Sequence, residues 1–225
     1  MLSVPPEILG PEFRDAAPTC FAFPGLEYGD FVSAEEYLRA AFKALRAGGD
    51  AVWCAASLPI IRRLRDEGIP VCGHVGLIPP RATWTGGFRA VGKTLDTAML
   101  VWQQTKALEE AGAFCAEIEV VPARVAAEIS KRTSLFMISM GSGAGCDAQY
   151  LFAEDVLGSN RGHVPRHAKT YRNFAAEYDR LQRERIAAFS EFAKDVHSRR
   201  YPQEGHLVGI DGAELRAFLA EFERG

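Results

Sequence analysis

The sequence predicts an α/β fold with a parallel sheet, and three observations predict it. Short, evenly apolar runs alternate with longer segments of helical spacing. Those longer segments open on cap residues or proline, and no internal repeat or linker divides the chain. Strand–helix–strand order of this kind gives parallel strands with helices outside, as a barrel or as an open doubly wound sheet. A length of 225 residues suits one large domain.

The elements follow in chain order. Residues 1–18 scatter Pro5, Pro6, Pro11 and Pro18 among acids without a sustained period, and are expected to form an irregular N-terminal segment. Residues 19–225 are expected to form a single barrel-like domain with C-terminal helices. The runs at 19–23, 51–54, 70–72, 114–121 and 134–140 are too short and too evenly apolar for amphipathic helices, so they read as buried strands, with 149–152 as a further one. Between them, 33–47 opens on a capping box of Ser33 and Glu36, 58–67 follows Ser57, and 95–111 follows Thr94. Segment 122–131 starts with Pro122, whose missing N–H is no loss in a first turn. A long amphipathic stretch at 167–199 and a shorter one at 213–223 complete the chain.

Composition narrows the function classes. The formal charge is −3, and lysines and arginines are scattered, so there is no electrostatic footprint for nucleic acid. No apolar run reaches the roughly 18 residues of a membrane helix, and the start MLSVPPEILG lacks the pattern of a signal peptide, so a cytoplasmic protein is expected. Five widely spaced cysteines, with no CxxC pair, imply reduced thiols and no zinc template.

In barrels and doubly wound sheets alike, ligands meet the carboxyl ends of the strands, and three places there carry polar residues. In FCAEIEVVP (114–122), the period of two puts Cys115, Glu117, Glu119 and Val121 on one strand face, bringing two carboxylates to one outlet. They read either as a proton-transfer pair or as acids one of which is salt-bridged. In GIPVCGHVGL (68–77), His74 sits between Gly73 and Gly76, which leave room for a turn or a ligand; it reads as a structural or a catalytic histidine. In MGSGAGCD (140–147), glycines beside Ser142 offer backbone N–H groups to an anion, while Asp147 reads as a turn or cap residue. The run from Gly87 to Gly92-Lys93-Thr94 has the spacing of a P-loop, but the preceding strand-like run, at 70–72, is too far away to feed it, so no nucleotide site is read there.

Together GIPVCGHVGL, GGFRAVGKT, IEVVPARVAAEIS, GSGAGCDAQ and EDVLG, in this order, resemble the ketopantoate hydroxymethyltransferase (3-methyl-2-oxobutanoate hydroxymethyltransferase) family over about residues 19–202. The resemblance implies a TIM-type (β/α) barrel of the phosphoenolpyruvate mutase/isocitrate lyase superfamily, here lacking its first two βα units. It implies oligomers, magnesium, and transfer of a hydroxymethyl group from methylenetetrahydrofolate to a 2-oxo acid. By the same resemblance Glu119 in EVVP matches the family's catalytic base, and His74 matches its conserved histidine. Trp53, Gly25, Glu117 and Ser142 are then expected around the substrate.

The match is incomplete at the metal. Gly25 stands at the place of a metal-binding aspartate, Trp53-Cys54-Ala55 stands where the family has Lys-x-Glu, and its Gly-Asp-Ser motif is missing. No metal ligand is therefore assigned, and magnesium is expected to bind poorly unless loop acids such as Glu27 or Asp30 replace the lost ones. Six staves also leave an open edge, which residues 1–18, a changed architecture or another chain would have to cover. Two readings stay open. One is a divergent transferase for a small 2-oxo acid or related carbonyl compound, with one-carbon or aldol-type chemistry and Glu119 as base. The other is a non-catalytic or half-site subunit of a homo-oligomer or of a hetero-oligomer with a family paralogue. Retention of Glu119, His74 and the glycine-rich loops favours the enzyme.

Overall fold

The computed structural model describes residues 11–224. The chain divides into two compact units, one up to Arg172 and one from Asn173 onward. The expected single domain over 19–225 thus separates into a sheet-bearing unit and a helical unit. Of the expected irregular N-terminal segment, residues 1–10 lie outside the described residues, and Pro11–Ala16 forms a short helix, α1.

The first unit alternates strand and helix as expected. It runs β1 (Gly25–Leu26), α2 (Ala34–Arg46), β2 (Val52–Cys54), α3 (Leu58–Asp66), β3 (Val71–Gly76), a 3₁₀ turn (Pro79–Thr85), α4 (Leu95–Glu110), β4 (Cys115–Glu119), α5 (Ala123–Ser130), β5 (Phe136–Met140), β6 (Ala148–Gln149) and α6 (Ala153–Leu157). All six strands are parallel and lie in the order β1 to β6. Consecutive order is the order of barrel staves, whereas a doubly wound sheet reverses at a switch point. Among the described residues β1 pairs only with β2 and β6 only with β5, so the sheet is barrel-ordered and open.

Local chemistry sets the element ends. Ser33 Oγ accepts from the Glu36 N–H, and the Glu36 carboxylate accepts from the Ser33 N–H, closing the expected capping box of α2. Thr94 and Thr97 do the same for α4. The first strand falls later than the run at 19–23. Pro24 has no N–H to give the ladder, so its carbonyl accepts from Trp53 N–H and regular pairing begins at Gly25. The third strand runs beyond Cys72 to Gly76. Gly73 belongs inside it because a Cβ there would stand 2.7 Å from the Leu108 side chain of α4, which packs directly on the strand. A Cβ at Gly76 would stand 2.5 Å from the Glu119 carbonyl oxygen. Both glycines therefore admit protein to close approach, and the room expected there for a ligand is filled by Leu108 and by β4.

The two faces of the sheet bury different things. One face packs Val52, Val71, Val75, Ala116, Ile118 and Met137 against helix residues such as Ala41, Ile61, Val101 and Ile129. On the other, Cys72, Cys115, Ile138, Met140 and Tyr150 form a smaller apolar cluster joined by Phe23 and Trp53.

The second unit holds α7 (Phe174–His197), a 3₁₀ turn (Glu204–His206) and α8 (Gly212–Phe222). Helix α7 starts after residue 167 because Asn173 Oδ1 accepts from the Ala176 N–H and caps it. Asp211 caps α8 through the N–H groups of Ala213 and Glu214. Within this unit Phe192 meets the Tyr201 ring at 5.4 Å. Among the described residues no helix of the protein is long and apolar enough to cross a membrane.

Candidate functional site

Register places the polar residues. In the parallel pairing of β3 with β4, His74 lies opposite Glu117 and Gly76 opposite Glu119. All three polar side chains point away from the covering helices, as the alternation of β4 requires: Ala116 and Ile118 face the helices, Glu117 and Glu119 the other side. Val121 does not stay on the carboxylate face, as strict alternation predicts; it packs in the helix-facing core. Val120 takes φ of 51°, a left-handed turn that ends the strand and reverses the phase of its side chains.

A cavity of about 220 Å³ opens over the carboxyl ends of the strands, walled by Trp53, His74, Glu117, Glu119, Met140 and Tyr150. No lysine or arginine lines it among the described residues. His74 is buried, and its Nε2 stands 2.8 Å from the Leu77 carbonyl oxygen and 3.2 Å from Glu119 Oε2. A carbonyl only accepts, so Nε2 carries a hydrogen and donates. Nδ1, 3.9 Å from Glu117 Oε2, has no hydrogen-bond partner among the described groups. The Trp53 indole meets the His74 ring edge to face at 5.5 Å and donates from Nε1 to Glu117 Oε2 at 2.7 Å.

The two acids are not equivalent. Glu117 is the more buried, and burial pushes its carboxyl up; the nearby Glu119 pushes the same way, while His74 and the Trp53 N–H oppose. Burial also raises the Tyr150 hydroxyl, with Glu117 adding to the shift. The buried thiols are pushed toward the neutral form, Cys54 up to about 11 and Cys72 well above the usual thiol range, so neither is a nucleophile near neutral pH.

Of the six residues expected from the sequence, His74, Glu117, Glu119 and Trp53 meet in one cavity. Gly25 lies opposite Trp53 in the register, outside the cavity lining. Ser142 is fully buried elsewhere: its hydroxyl donates to the Ile118 carbonyl and accepts from the Val121 N–H, both at 2.9 Å. It clasps the end of β4, and its one proton is committed to the Ile118 carbonyl. Asp147 likewise fastens its own loop, accepting from the Met137 N–H at 2.7 Å. Tyr150, Met140 and the rim residue Glu27 line the cavity without having been expected there. A period-two reading of the run at 149–152 separates Tyr150 from Gln149, but nothing in the sequence shows which side is inward.

The profile of the ketopantoate hydroxymethyltransferase family matches residues 14–204. The chain belongs to the ketopantoate hydroxymethyltransferase family. Family relatives, each a 3-methyl-2-oxobutanoate hydroxymethyltransferase, include proteins of Methylibium petroleiphilum (31% identical, covering 94% of this chain and 71% of the relative) and Deinococcus radiodurans (36% identical, 87% and 68%). That of Nitratidesulfovibrio vulgaris is 37% identical over 74% of this chain and 52% of its own length. The chain thus spans from about half to 71% of the length of these relatives. Among solved structures, a phosphonomutase-like protein of Burkholderia cenocepacia aligns with a TM-score of 0.47 at 12% identity, over 83% of this chain and 76% of that one.

The magnesium that a ketopantoate hydroxymethyltransferase would use does not fit the residues present. Gly25 and Ala55, where the resemblance implies metal-binding acids, carry no carboxylate, and Trp53 offers a hydrogen-bond donor. His74, Glu117 and Glu119 have potential ligand atoms within 4.8 Å of one another. One imidazole nitrogen among them suits a transition metal better than magnesium, which prefers oxygen and retained water. The imidazole Nε2 is engaged with the Leu77 carbonyl, which leaves Nδ1 as its available ligand atom.

Proposed function

We propose that this chain is a divergent hydroxymethyltransferase-like enzyme that enolises a 2-oxo acid and adds a one-carbon or aldehyde-derived unit to it, without the metal ligands of its relatives. The supporting observation is the Glu119 carboxylate held 3.2 Å from His74 Nε2, in a cavity at the carboxyl ends of the strands. Glu119 removes the proton from the carbon beside the carbonyl. His74, its Nε2–H fixed on the Leu77 carbonyl, stands beside the carboxylate and helps to position it. Met140, Tyr150 and Trp53 supply the apolar walls that exclude water from the enolate. Methylenetetrahydrofolate is the donor that family membership suggests.

Deuterium exchange tests this reading. Incubated in deuterated water with 3-methyl-2-oxobutanoate, the protein is expected to exchange the hydrogen at carbon 3, and Glu119→Gln is expected to abolish it. Absence of exchange in the unaltered protein, with this and other 2-oxo acids, would refute enolisation.

The open sheet favours a second reading, assembly with another chain. Among the described residues strands β1 and β6 each have one strand neighbour, and Phe21, Phe114 and Phe136 lie exposed beside a further apolar cavity of about 440 Å³. Homo-oligomers, or hetero-oligomers with a paralogue, would cover them. Sedimentation of the purified protein alone and after co-expression with a paralogue separates a self-assembling enzyme from a half-site subunit; a monomer in both samples rules out both forms of assembly.

A further inference from the structure

Resting on the enolisation reading, we propose that Glu117 is the oxyanion-holding group of this site, its carboxylic acid O–H donating to the carbonyl oxygen of the bound 2-oxo acid. Removing a proton beside a carbonyl moves an electron pair into the new carbon–carbon double bond and places the carbonyl pair on oxygen. That charge needs a cation or a fixed donor, often the largest catalytic contribution. Here no lysine or arginine lines the cavity among the described residues, and the positions where the resemblance implies a substrate-binding lysine and two metal-binding acids carry Trp53, Gly25 and Ala55.

Burial separates the two acids. Glu119 Oε2 lies 3.2 Å from His74 Nε2, whose hydrogen is held by the Leu77 carbonyl, and Glu119 is the more exposed carboxylate, with 9% of its side chain accessible against 2% for Glu117. Glu117 receives only the neutral indole N–H of Trp53 on Oε2, which leaves its other oxygen to bear a hydrogen. Two carboxylates this close together do not both ionise readily, so the proton resides on the more deeply buried member, Glu117. The two acids then divide the work: Glu119 accepts the proton from carbon, and Glu117 donates a hydrogen bond, without giving up its proton, to the oxygen where charge accumulates. The indole at position 53 and the acid at 117 thus form one device, a neutral donor in a cavity without a cationic side chain among the described residues.

The test uses 3-methyl-2-oxobutanoate labelled with carbon-13 at carbon 2, bound to the full-length protein, with infrared difference spectra of the carbonyl stretch and exchange kinetics read together. In the unaltered protein the stretch is expected below its free value. Glu117→Leu is expected to return the stretch toward that value and to lower the exchange kcat by about 10²- to 10³-fold, with a smaller change in KM. Glu117→Gln, whose amide still accepts from Trp53 and still donates, is expected to retain part of both signals and guards against misfolding of the leucine variant. Glu119→Gln is expected to keep the carbonyl shift and lose exchange. The inference is overturned if Glu117→Leu keeps both the shift and the rate, or if Tyr150→Phe alone removes the shift, which would assign the oxygen to the tyrosine. It is equally overturned if Glu117→Gln loses exchange as fully as Glu119→Gln with the shift intact, since Glu117 would then be part of the base. A shift that depends on Glu117 in a protein that shows no exchange leaves the donor in place and removes the enolisation reading. Exchange that ignores Glu117 does the reverse, and a protein that neither shifts nor exchanges refutes both.

Discussion

The two faces of the sheet are made from the same strands and differ in nearly every physical respect. In β4, Ala116 and Ile118 lie against the helices in a continuous apolar core, whereas Cys115, Glu117 and Glu119, one residue out of phase, face the other way. Toward the helices the sheet gains its stability from area buried and shape matched. On the opposite face it keeps two acids and a histidine at a cost in desolvation that apolar residues would not incur. Stability and chemistry are therefore separated by side-chain parity, and substitutions at adjacent positions should report on different properties.

The largest expected effects separate the faces most cleanly. Glu119→Gln should lower exchange by about 10²- to 10⁴-fold and leave the melting temperature nearly unchanged or raised, since it replaces a buried acid by an amide of the same shape. Its neighbour Ile118→Ala should cost about 2 to 5 kcal/mol of stability through a cavity in the helix-facing core. Denaturation curves and exchange rates of the folded fraction check both. An inactive but fully stable Ile118→Ala would break the division of labour between faces.

Ser142→Ala tests the seam where the faces meet. It leaves the Ile118 carbonyl and the Val121 N–H, both buried, without their hydroxyl partner, and should cost about 1 to 3 kcal/mol with little change in KM. A large rise in KM with unaltered stability would return Ser142 to the substrate site.

The smallest effects concern pH, where the two faces have opposite signs. On the helix side, the Glu109 carboxylate of α4 accepts from Ser134 N–H and Oγ–H and pairs with Lys106, which holds it down at about 2. Its contribution to stability is present above the ordinary carboxylate range and is lost as pH falls toward about 2. Glu117 is shifted upward, so its contribution is complete below the ordinary carboxylate value and is lost as pH rises through its elevated folded value. Glu109→Gln should flatten the acid limb of the stability profile and Glu117→Gln should flatten a limb at higher pH. Melting temperatures across the pH range check the signs, and a shared direction would contradict the asymmetry between the faces.

Much of the fold was legible because its signals are local. The capping box at Ser33 and Glu36, Thr94 before α4 and Pro122 before α5 mark helix starts within a residue or two, and apolar runs mark β2, β4 and β5. Strand β3 was underestimated because Gly73 and His74 interrupt its apolar run, and only Leu108, far along the chain, accounts for the glycine. In the site, the common face of Glu117 and Glu119 follows from counting by two. The indole of Trp53 on Glu117 spans 64 residues, and the Ser142 hydroxyl is turned to backbone 24 residues back at Ile118; both depend on register, which sequence alone does not fix. Parity also failed at Val121, because a single left-handed residue resets the count.

That residue, Val120, bears on how the protein tolerates change. A β-branched side chain at φ of 51° is held in a sparsely populated conformation at a cost of about 1 to 3 kcal/mol, immediately after the carboxylate proposed as base. Glycine would relieve the conformation and also loosen the main chain that aims Glu119. Selection for heat resistance and selection for turnover should consequently pull this position apart: the first toward glycine or asparagine, the second toward a stiff, branched residue. Libraries randomised at 120 alone would then sort into two populations under the two regimes.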